Sequence, residues 1–146
     1  MAITSAICNS FKQEILEAEH NFTASTGNTF NLALYTSSAT LGAGTTAYTT
    51  TEEITNTSGT AYTAKGKALT SVTPTLDSST AVCDFADVSW TSASFTANGC
   101  LIFNDSHSID AAVCAIAFGG DKTVSSGTFT IQFPAAAATT AIIRIA

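Results

Sequence analysis

The chain has little charge. Lys and Arg together number 5 and Asp and Glu 11, so charged residues make up 11% of the 146 residues, against about 25% in ordinary globular domains. The cations, which form no run, are Lys12, Lys65, Lys67, Lys122 and Arg144. Because nucleic-acid backbone and anionic membrane surfaces bind clustered cations, we expect neither as a partner.

Long apolar segments and a secretion signal are also missing from the pattern. No run approaches the roughly 20 apolar residues of a membrane-spanning helix. The opening MAITSAICNSFKQEILE has no cationic n-region followed by a long apolar h-region. We therefore expect a protein that is made in a reducing cytoplasm without a signal peptide.

Motifs for metals and cofactors are absent as well. The cysteines form no CxxC and no tight Cys/His spacing, so the sequence predicts no zinc site, and the aspartates lack EF-hand spacing. Each cysteine lies in or beside an apolar run, where a free thiol behaves as a small hydrophobe. A disulfide between Cys100 and Cys114 is the alternative. The cysteines are Cys8, Cys83, Cys100 and Cys114.

Catalysis has one place to reside, the segment Asn104–Asp110, which reads Asn-Asp-Ser-His-Ser-Ile-Asp. It contains a base, hydroxyls and carboxylates. Catalytic triads, however, bring residues together from separate elements, and polar residues in one loop more often form turns. His20 is expected at a helix end, where an imidazolium suits the helix dipole. We therefore predict no catalytic residues, no cofactor and no enzyme.

Serine and threonine fill the space that charge usually takes. A surface with so little charge keeps a free monomer poorly soluble, and strands with hydroxyls outside leave sheet edges weakly protected. We expect copies of the chain, or another protein, to cover much of this surface. The alternative is a soluble β-protein with a hydroxyl-rich surface.

One amphipathic helix is predicted at the start of the chain. Ile7, Phe11, Ile15 and Ala18 follow helical spacing, with Thr4 or Ser5 as the N-cap. Residues 1–22 are thus predicted as a helix or arm and residues 23–146 as a β-sandwich, within one domain. The helix either closes one end of the sandwich or docks on a neighbour, in which case Phe11 and Ile15 are interface candidates.

The best-patterned stretch is DFADVSWTSASFTANGCLIFND, from Asp84 to Asp105. Val88 and Trp90 alternate with polar residues as in a half-buried strand, and Asn98-Gly99 can turn or bulge the chain. The run from Cys100 to Phe103 is apolar on both faces, which is typical of a covered strand. The predicted core residues are Trp90, Phe103, Phe129 and Ile131.

Short strand patterns continue through the rest of the chain, at 30–35, 48–54, 68–75, 80–85, 111–118, 122–124, 129–133 and 141–145. Gly119-Gly120-Asp121 and Ser125-Ser126-Gly127 are predicted as turns between them. Many short strands after one helix indicate a mainly β fold: an antiparallel, jelly-roll-like β-sandwich with one N-terminal α-helix.

Four segments carry a family resemblance: AICNSFKQEILEAEHNF, FNLALYTSSATLGAGTTAYTT, DFADVSWTSASFTANGCLIFND and GTFTIQFPAAAATTAIIRIA. Together they cover most of the chain, and in overall pattern the chain resembles the capsid decoration, or cement, proteins of tailed bacteriophages. The resemblance implies a virion protein on the outer capsid surface, forming a homotrimer and contacting the major capsid protein. It names no binding residues.

A second function remains open, that of a tail-fibre or receptor-binding module. Such a β-sandwich would present Tyr48, Tyr62 and the loop Gly42–Gly44 to a host-surface glycan. Both tyrosines are therefore interface candidates in either function. Copy number distinguishes the two, because a cement protein is abundant in the particle and a tail protein is scarce.

Overall fold

Two long antiparallel strands form the centre of the fold, one of 17 residues and one of 21 residues. The computed structural model describes residues 2–55 and 59–146. The described elements are β1 (Ala6–Ile7), α1 (Asn9–Leu16), β2 (Phe30–Tyr35), β3 (Lys67–Ala68), β4 (Ser71–Asp77), β5 (Thr80–Phe85), β6 (Val88–Asn104), β7 (Ala111–Ile131) and β8 (Ile143–Ile145).

The strands form two antiparallel sheets, which confirms the predicted β-sandwich class. The larger sheet has the order β1-β7-β6-β2-β3 and the smaller one β4-β5-β8. β2 pairs with the apolar end of β6, from Phe30 opposite Asn104 to Tyr35 opposite Gly99. This segment of β6 therefore has a strand on each side, as its two apolar faces indicated.

Asn98-Gly99 does not end a strand, because β6 runs through it. The register with β7 moves from Ala97 opposite Lys122 to Gly99 opposite Ala117, so the predicted turn at residues 119–121 is wrong. Those residues bulge out of β7 instead, and the Nδ2 of Asn98 donates a hydrogen bond to Asp121 Oδ1 at 2.8 Å. Glycine supplies the positive φ angles that such a bulge needs.

Two further strand predictions are corrected. Ser125-Ser126-Gly127 is not a turn between strands but an irregularity inside β7, where Ser126 has a φ of 48°. The predicted strand at 48–54 is reduced to one isolated bridge, which pairs Tyr35 with Glu53. Its backbone follows the larger sheet through single hydrogen bonds, such as Ile54 N–H to Leu34 O at 2.9 Å.

The N-terminal helix is shorter than its sequence pattern. It spans Asn9–Leu16 with Cys8 at the N-cap position, and not Thr4 or Ser5. Residues 6–7 are not helical but form β1, which pairs with β7, and Ile7 lies opposite Cys114 in the sheet. Phe11 is the only residue of α1 that is fully buried, and it lies in the same core as the strands. The helix therefore closes the sandwich from one side.

The core contains two of its four predicted members in full. Trp90 and Phe103 are buried, whereas Phe129 and Ile131 are half-buried and pack against the core from its rim. The order of the strands explains the difference. Phe129 on β7 lies opposite Trp90 on β6, but at this position no described strand pairs with the other side of β7. A residue on an edge strand keeps part of its side chain exposed.

Candidate functional site

A buried-to-surface hydrogen-bond network centres on Glu53. Its Oε1 accepts from the hydroxyl of Tyr62 at 2.7 Å and from the backbone N–H of Lys65 at 2.8 Å. Its Oε2 accepts from the hydroxyl of Tyr48 at 2.6 Å. The Tyr62 oxygen in turn accepts from the backbone N–H of Leu34 at 2.9 Å. The carboxylate thus holds Tyr48, Tyr62 and Lys65 together, and Tyr62 links them to Leu34 of the larger sheet.

Ionisation of these tyrosines is disfavoured. Burial, followed by the hydrogen bond to Glu53, raises the pKa of Tyr48 to about 12. Burial raises the pKa of Tyr62 further still. A phenol with a raised pKa keeps its proton at neutral pH and is a poor general base. The network is suited to holding backbone in place and not to proton transfer.

Lys65 joins this segment to the predicted polar loop. Its Nζ lies 2.8 Å from Asp105 Oδ1 and 2.8 Å from Asp110 Oδ2. The two carboxylates raise the pKa of the Lys65 ammonium, with the hydrogen bond to Asp105 as the largest cause. Both aspartates of the loop are therefore held by the same lysine, which compensates one of their two negative charges and links the loop to residue 65.

The two histidines meet in a second cluster. Their rings are stacked with centroids 6.1 Å apart. His20 Nε2 contacts Glu14 Oε2 at 2.7 Å, and its Nδ1 lies 3.1 Å from the Nδ2 of buried Asn104. His107 Nε2 contacts Glu19 Oε2. The prediction that His20 ends the helix is wrong, because α1 ends at Leu16 and His20 is buried in the connection that follows.

This cluster lacks an activated nucleophile. The second nitrogen of His107 accepts from the backbone N–H of Ile109 at 3.4 Å, so all four imidazole nitrogens have partners. Ser106 Oγ, one of the two hydroxyls that flank His107 in sequence, accepts instead from the backbone N–H of Thr29 at 2.8 Å. Nucleophilic catalysis needs a base within hydrogen-bond reach of the nucleophile, and these contacts do not supply that pair.

All four cysteines are free and buried. Burial raises the pKa of the Cys8 thiol to about 11 and those of Cys83 and Cys100 to about 12. Cys100 lies opposite Ile116 and not opposite Cys114, so the two are diagonal neighbours in the ladder. Within residues 2–55 and 59–146, no group of His, Cys, Asp and Glu side chains is arranged to hold a metal ion.

The structure corrects two of the four interface candidates. Phe11 is only 3% exposed and packs on His20 and Phe22, with ring centroids 4.9 Å and 6.0 Å away. Tyr62 is 1% exposed and stacks on Trp90 with centroids 6.0 Å apart. Tyr62 was a candidate because the sequence shows aromatic residues without showing what covers them. Phe11 was a candidate only for a helix that docks on a neighbour, and the structure has the other alternative, a helix that packs on the sandwich. Neither can contact a partner in this fold.

The other two candidates are half-buried. Ile15 lines a groove of about 540 Å³ that separates residues 15–23 from the smaller sheet, which we call the helix groove. Tyr48 stacks on Phe103 with ring centroids 4.8 Å apart, and the Nζ of Lys65 lies 5.7 Å from its ring centroid. Only Ile15 thus borders a surface that a partner could fill.

Apolar side chains that the sequence pattern did not single out remain exposed. Leu76 on β4 is opposite Ala81 on β5, and Ala81 is opposite Ile145 on β8, so the three form one row across the smaller sheet. Leu76 is 72% exposed and Ile145 55%. Leu16, at the end of α1, is 88% exposed. Exposed apolar surface of this kind is typical of contact sites.

A second groove follows the rim of the larger sheet. It has a volume of about 490 Å³ and is bordered almost wholly by apolar side chains; we call it the β7 groove. Its apolar members include Ile116, Phe118, Phe129, Ile131, Phe133 and Ile142. Lys122 is its one charged member. The alternation at 129–133 indicated a strand here, but only the sheet order shows that the strand lies at an edge.

Comparisons of the chain with protein-family models, with curated protein sequences and with solved structures find no match in any of the three. Among the described residues, no helix is long and apolar enough to cross a membrane.

Proposed function

We propose that this chain is a structural protein of a tailed-bacteriophage virion, a decoration protein that stabilises the icosahedral head from outside. In this role it forms a closed homo-oligomer, a trimer in the form that the resemblance implies, and contacts the major capsid protein. The proposal assigns it to the outer capsid surface and gives it no catalytic activity.

The observation that carries the proposal is the exposed apolar row on the smaller sheet. Leu76, Ala81 and Ile145 continue the face that also holds buried Ile143 and Cys83, but they extend beyond the core. In a monomer this row would meet water. Such a surface suits a protein that binds other chains, whereas it lowers the solubility of a free monomer.

Attachment through this surface would depend little on ion pairs. Charged residues are 11% of the chain, and Lys65 already binds two aspartates of its own chain. At an ionic strength of 1 M, charges more than about 3 Å apart are largely screened, while apolar contacts persist. We therefore expect the chain to stay on particles in a high-salt wash.

The test is stoichiometry together with rebinding. In a quantitative gel of intact particles, the chain should rival the major shell protein in amount. Purified chain should rebind to particles from which it has been removed, and Leu76→Glu should lower this binding at least tenfold. Thr75→Glu is the matched control, since it adds the same charge on the same strand but on the opposite face. Scarcity in the particle, or equal loss in both variants, would contradict the proposal.

The tail-fibre hypothesis remains a prediction with less support. Tyr62, one of its two aromatic contacts for a glycan, is buried against Trp90. The hydroxyl of Tyr48, the other, is held by Glu53 at 2.6 Å. Stacking of a sugar ring requires an open aromatic face, so we do not carry this hypothesis further.

A further inference from the structure

The C-terminal half of β7 is an uncovered strand edge. Of the described strands, only β1 pairs with the side of β7 that faces away from β6, and only at Cys114 and Ala115. Outside the ladder with β6, no described backbone–backbone hydrogen bond involves residues 118–131. Such an edge presents free N–H and C=O groups to any strand of matching geometry.

The direction of these groups follows from one contact. The backbone N–H of Phe133 points to Asp87 Oδ1 at 2.9 Å, on the β6 side of the strand. Because backbone groups in a strand alternate in direction, those of Thr128, Thr130 and Gln132 point away from β6. They form a regular row, since the pairing with β6 is regular from Phe129 to Ile131 and the nearest irregularity, between Phe129 and Gly127, has its extra residue on β6.

The part of this edge from Thr128 to Phe133 lacks the usual protection along its own length, and Pro134 follows directly after it. Natural sheets block their edges with lysine, proline or inward-pointing charge, but no charged residue lies between Lys122 and Arg144. The segment Thr128–Phe133 reads TFTIQF, an uncharged alternation of hydroxyl or amide and apolar side chains. By contrast, β4, at an edge of the smaller sheet, carries Pro74, an irregularity and Asp77. The edge at β4 is thus protected against pairing with another strand, whereas the edge at Thr128–Phe133 is not.

We infer that two copies of this chain pair antiparallel through the β7 edge, Thr128–Gln132, about a two-fold axis near Thr130. In that register Thr130 lies opposite itself, Phe129 opposite Ile131, and Thr128 opposite Gln132. Each pair joins side chains of the same kind on the same face. The half-buried Phe129 and Ile131 of each copy become covered by those of the other, beside the β7 groove.

Charge favours a second copy as the occupant. Each chain carries a net charge of −6, so copies repel one another except where they meet through uncharged surface. Like charges placed directly opposite each other destabilise a sheet, and this edge contains none. The sequence is also compatible with itself in the reversed direction, which an isologous contact requires.

The inference rests on the strand edge alone and is independent of the virion assignment. A two-fold contact produces assemblies with an even number of chains. If a trimer forms through another surface, such as the smaller sheet, the β7 edge joins two trimers into a hexamer. In either case, loss of the edge contact halves the mass of the assembly.

The test measures that mass by native mass spectrometry and light scattering at micromolar concentration. Thr130→Pro removes an outward N–H without removing a bond of the β6 ladder, as edge strands tolerate. Thr130→Lys places on the edge strand the charged side chain with which natural sheets prevent pairing with another strand. Thr96→Lys is the matched control, because Thr96 is also an exposed threonine whose hydroxyl contacts the opposite strand of the β6–β7 ladder, but it lies on β6 and not on the β7 edge.

The wild-type chain should have an even number of subunits, both Thr130 variants half that number, and Thr96→Lys the wild-type number. Circular dichroism and the unfolding midpoint should show that the variants keep the fold. A wild-type monomer or odd-numbered oligomer would overturn the inference. An unchanged mass in both folded Thr130 variants, or a mass halved by Thr96→Lys, would overturn it as well.

Discussion

The adjacent carboxylates Glu52 and Glu53 provide the sharpest test of the fold. Glu53 accepts hydrogen bonds from Tyr48, Tyr62 and the Lys65 backbone. Exposed Glu52 accepts one side-chain hydrogen bond, from Thr36 Oγ1 at 3.0 Å. We predict that Glu53→Ala is strongly destabilising and that Glu52→Ala is nearly neutral.

The magnitude follows from the donors left without a partner. A buried donor that loses its acceptor costs about 1–3 kcal/mol. In Glu53→Ala this applies in full to the hydroxyl of buried Tyr62 and in part to the N–H of half-buried Lys65, while half-buried Tyr48 can turn to water. We therefore expect a loss of about 2–5 kcal/mol in the free energy of unfolding. For Glu52→Ala we expect a change within about 0.5 kcal/mol, as is usual for surface positions.

Urea unfolding followed by the fluorescence of Trp90 measures the difference. With a slope near 2 kcal/mol per M, in the usual range of about 1–3, the midpoint of Glu53→Ala should fall by about 1–2.5 M. Both variants must be compared at one protein concentration, since association raises apparent stability. Equal midpoints for the two variants would refute the role assigned to Glu53.

Three further outcomes are expected. Trp90→Ala, which removes a buried side chain packed on Tyr62 and Phe129, should cost about 3–5 kcal/mol and prevent soluble expression; an undiminished, folded variant would remove Trp90 from the centre of the core. Gly66→Ala should destabilise the chain by about 1–3 kcal/mol more than Gly59→Ala in thermal or urea unfolding. Both glycines have a positive φ angle, but of the two only Gly66 has a backbone oxygen, that of Leu32, at 1.8 Å from where a Cβ would lie. The thiols should resist a disulfide reagent at pH 8 until the chain unfolds, because burial raises their pKa values and the thiolate is the reactive form; rapid labelling of the folded chain would contradict their burial.

Local patterns in the sequence predicted the strands that are buried. Phe30–Tyr35 and Thr80–Phe85 have the bounds that their apolar alternation indicated, and Trp90 and Phe103 are in the core. In such segments the side-chain period and the burial agree, because the same face is covered along the whole strand. The low charge is likewise a property of the composition, and the expectation of a covered surface follows from it.

Other features depended on contacts distant in sequence. Gly119-Gly120 has the composition of a turn, but Asn98 and the pairing on each side of it keep the chain in one strand. Tertiary pairing overrides local propensity when many ladder bonds continue beyond the irregularity. Phe11 and Tyr62 resembled surface aromatics for the same reason, since what covers them lies far along the chain.

The low charge thus followed from the composition, and the β-rich pattern and the lack of a recognisable catalytic or metal motif followed from the spacing of residues along the chain. Both kinds of property can be read from the order of residues without knowing which segments are in contact. Which strand is left at an edge, and which apolar side chains extend beyond the core, was decided by the tertiary structure. Sheet order is a relation between segments, and TFTIQF reads the same in a central strand as at an edge. Only the absence of a described neighbouring strand beside β7 makes that segment an open edge, to which we assign the contact with a second copy.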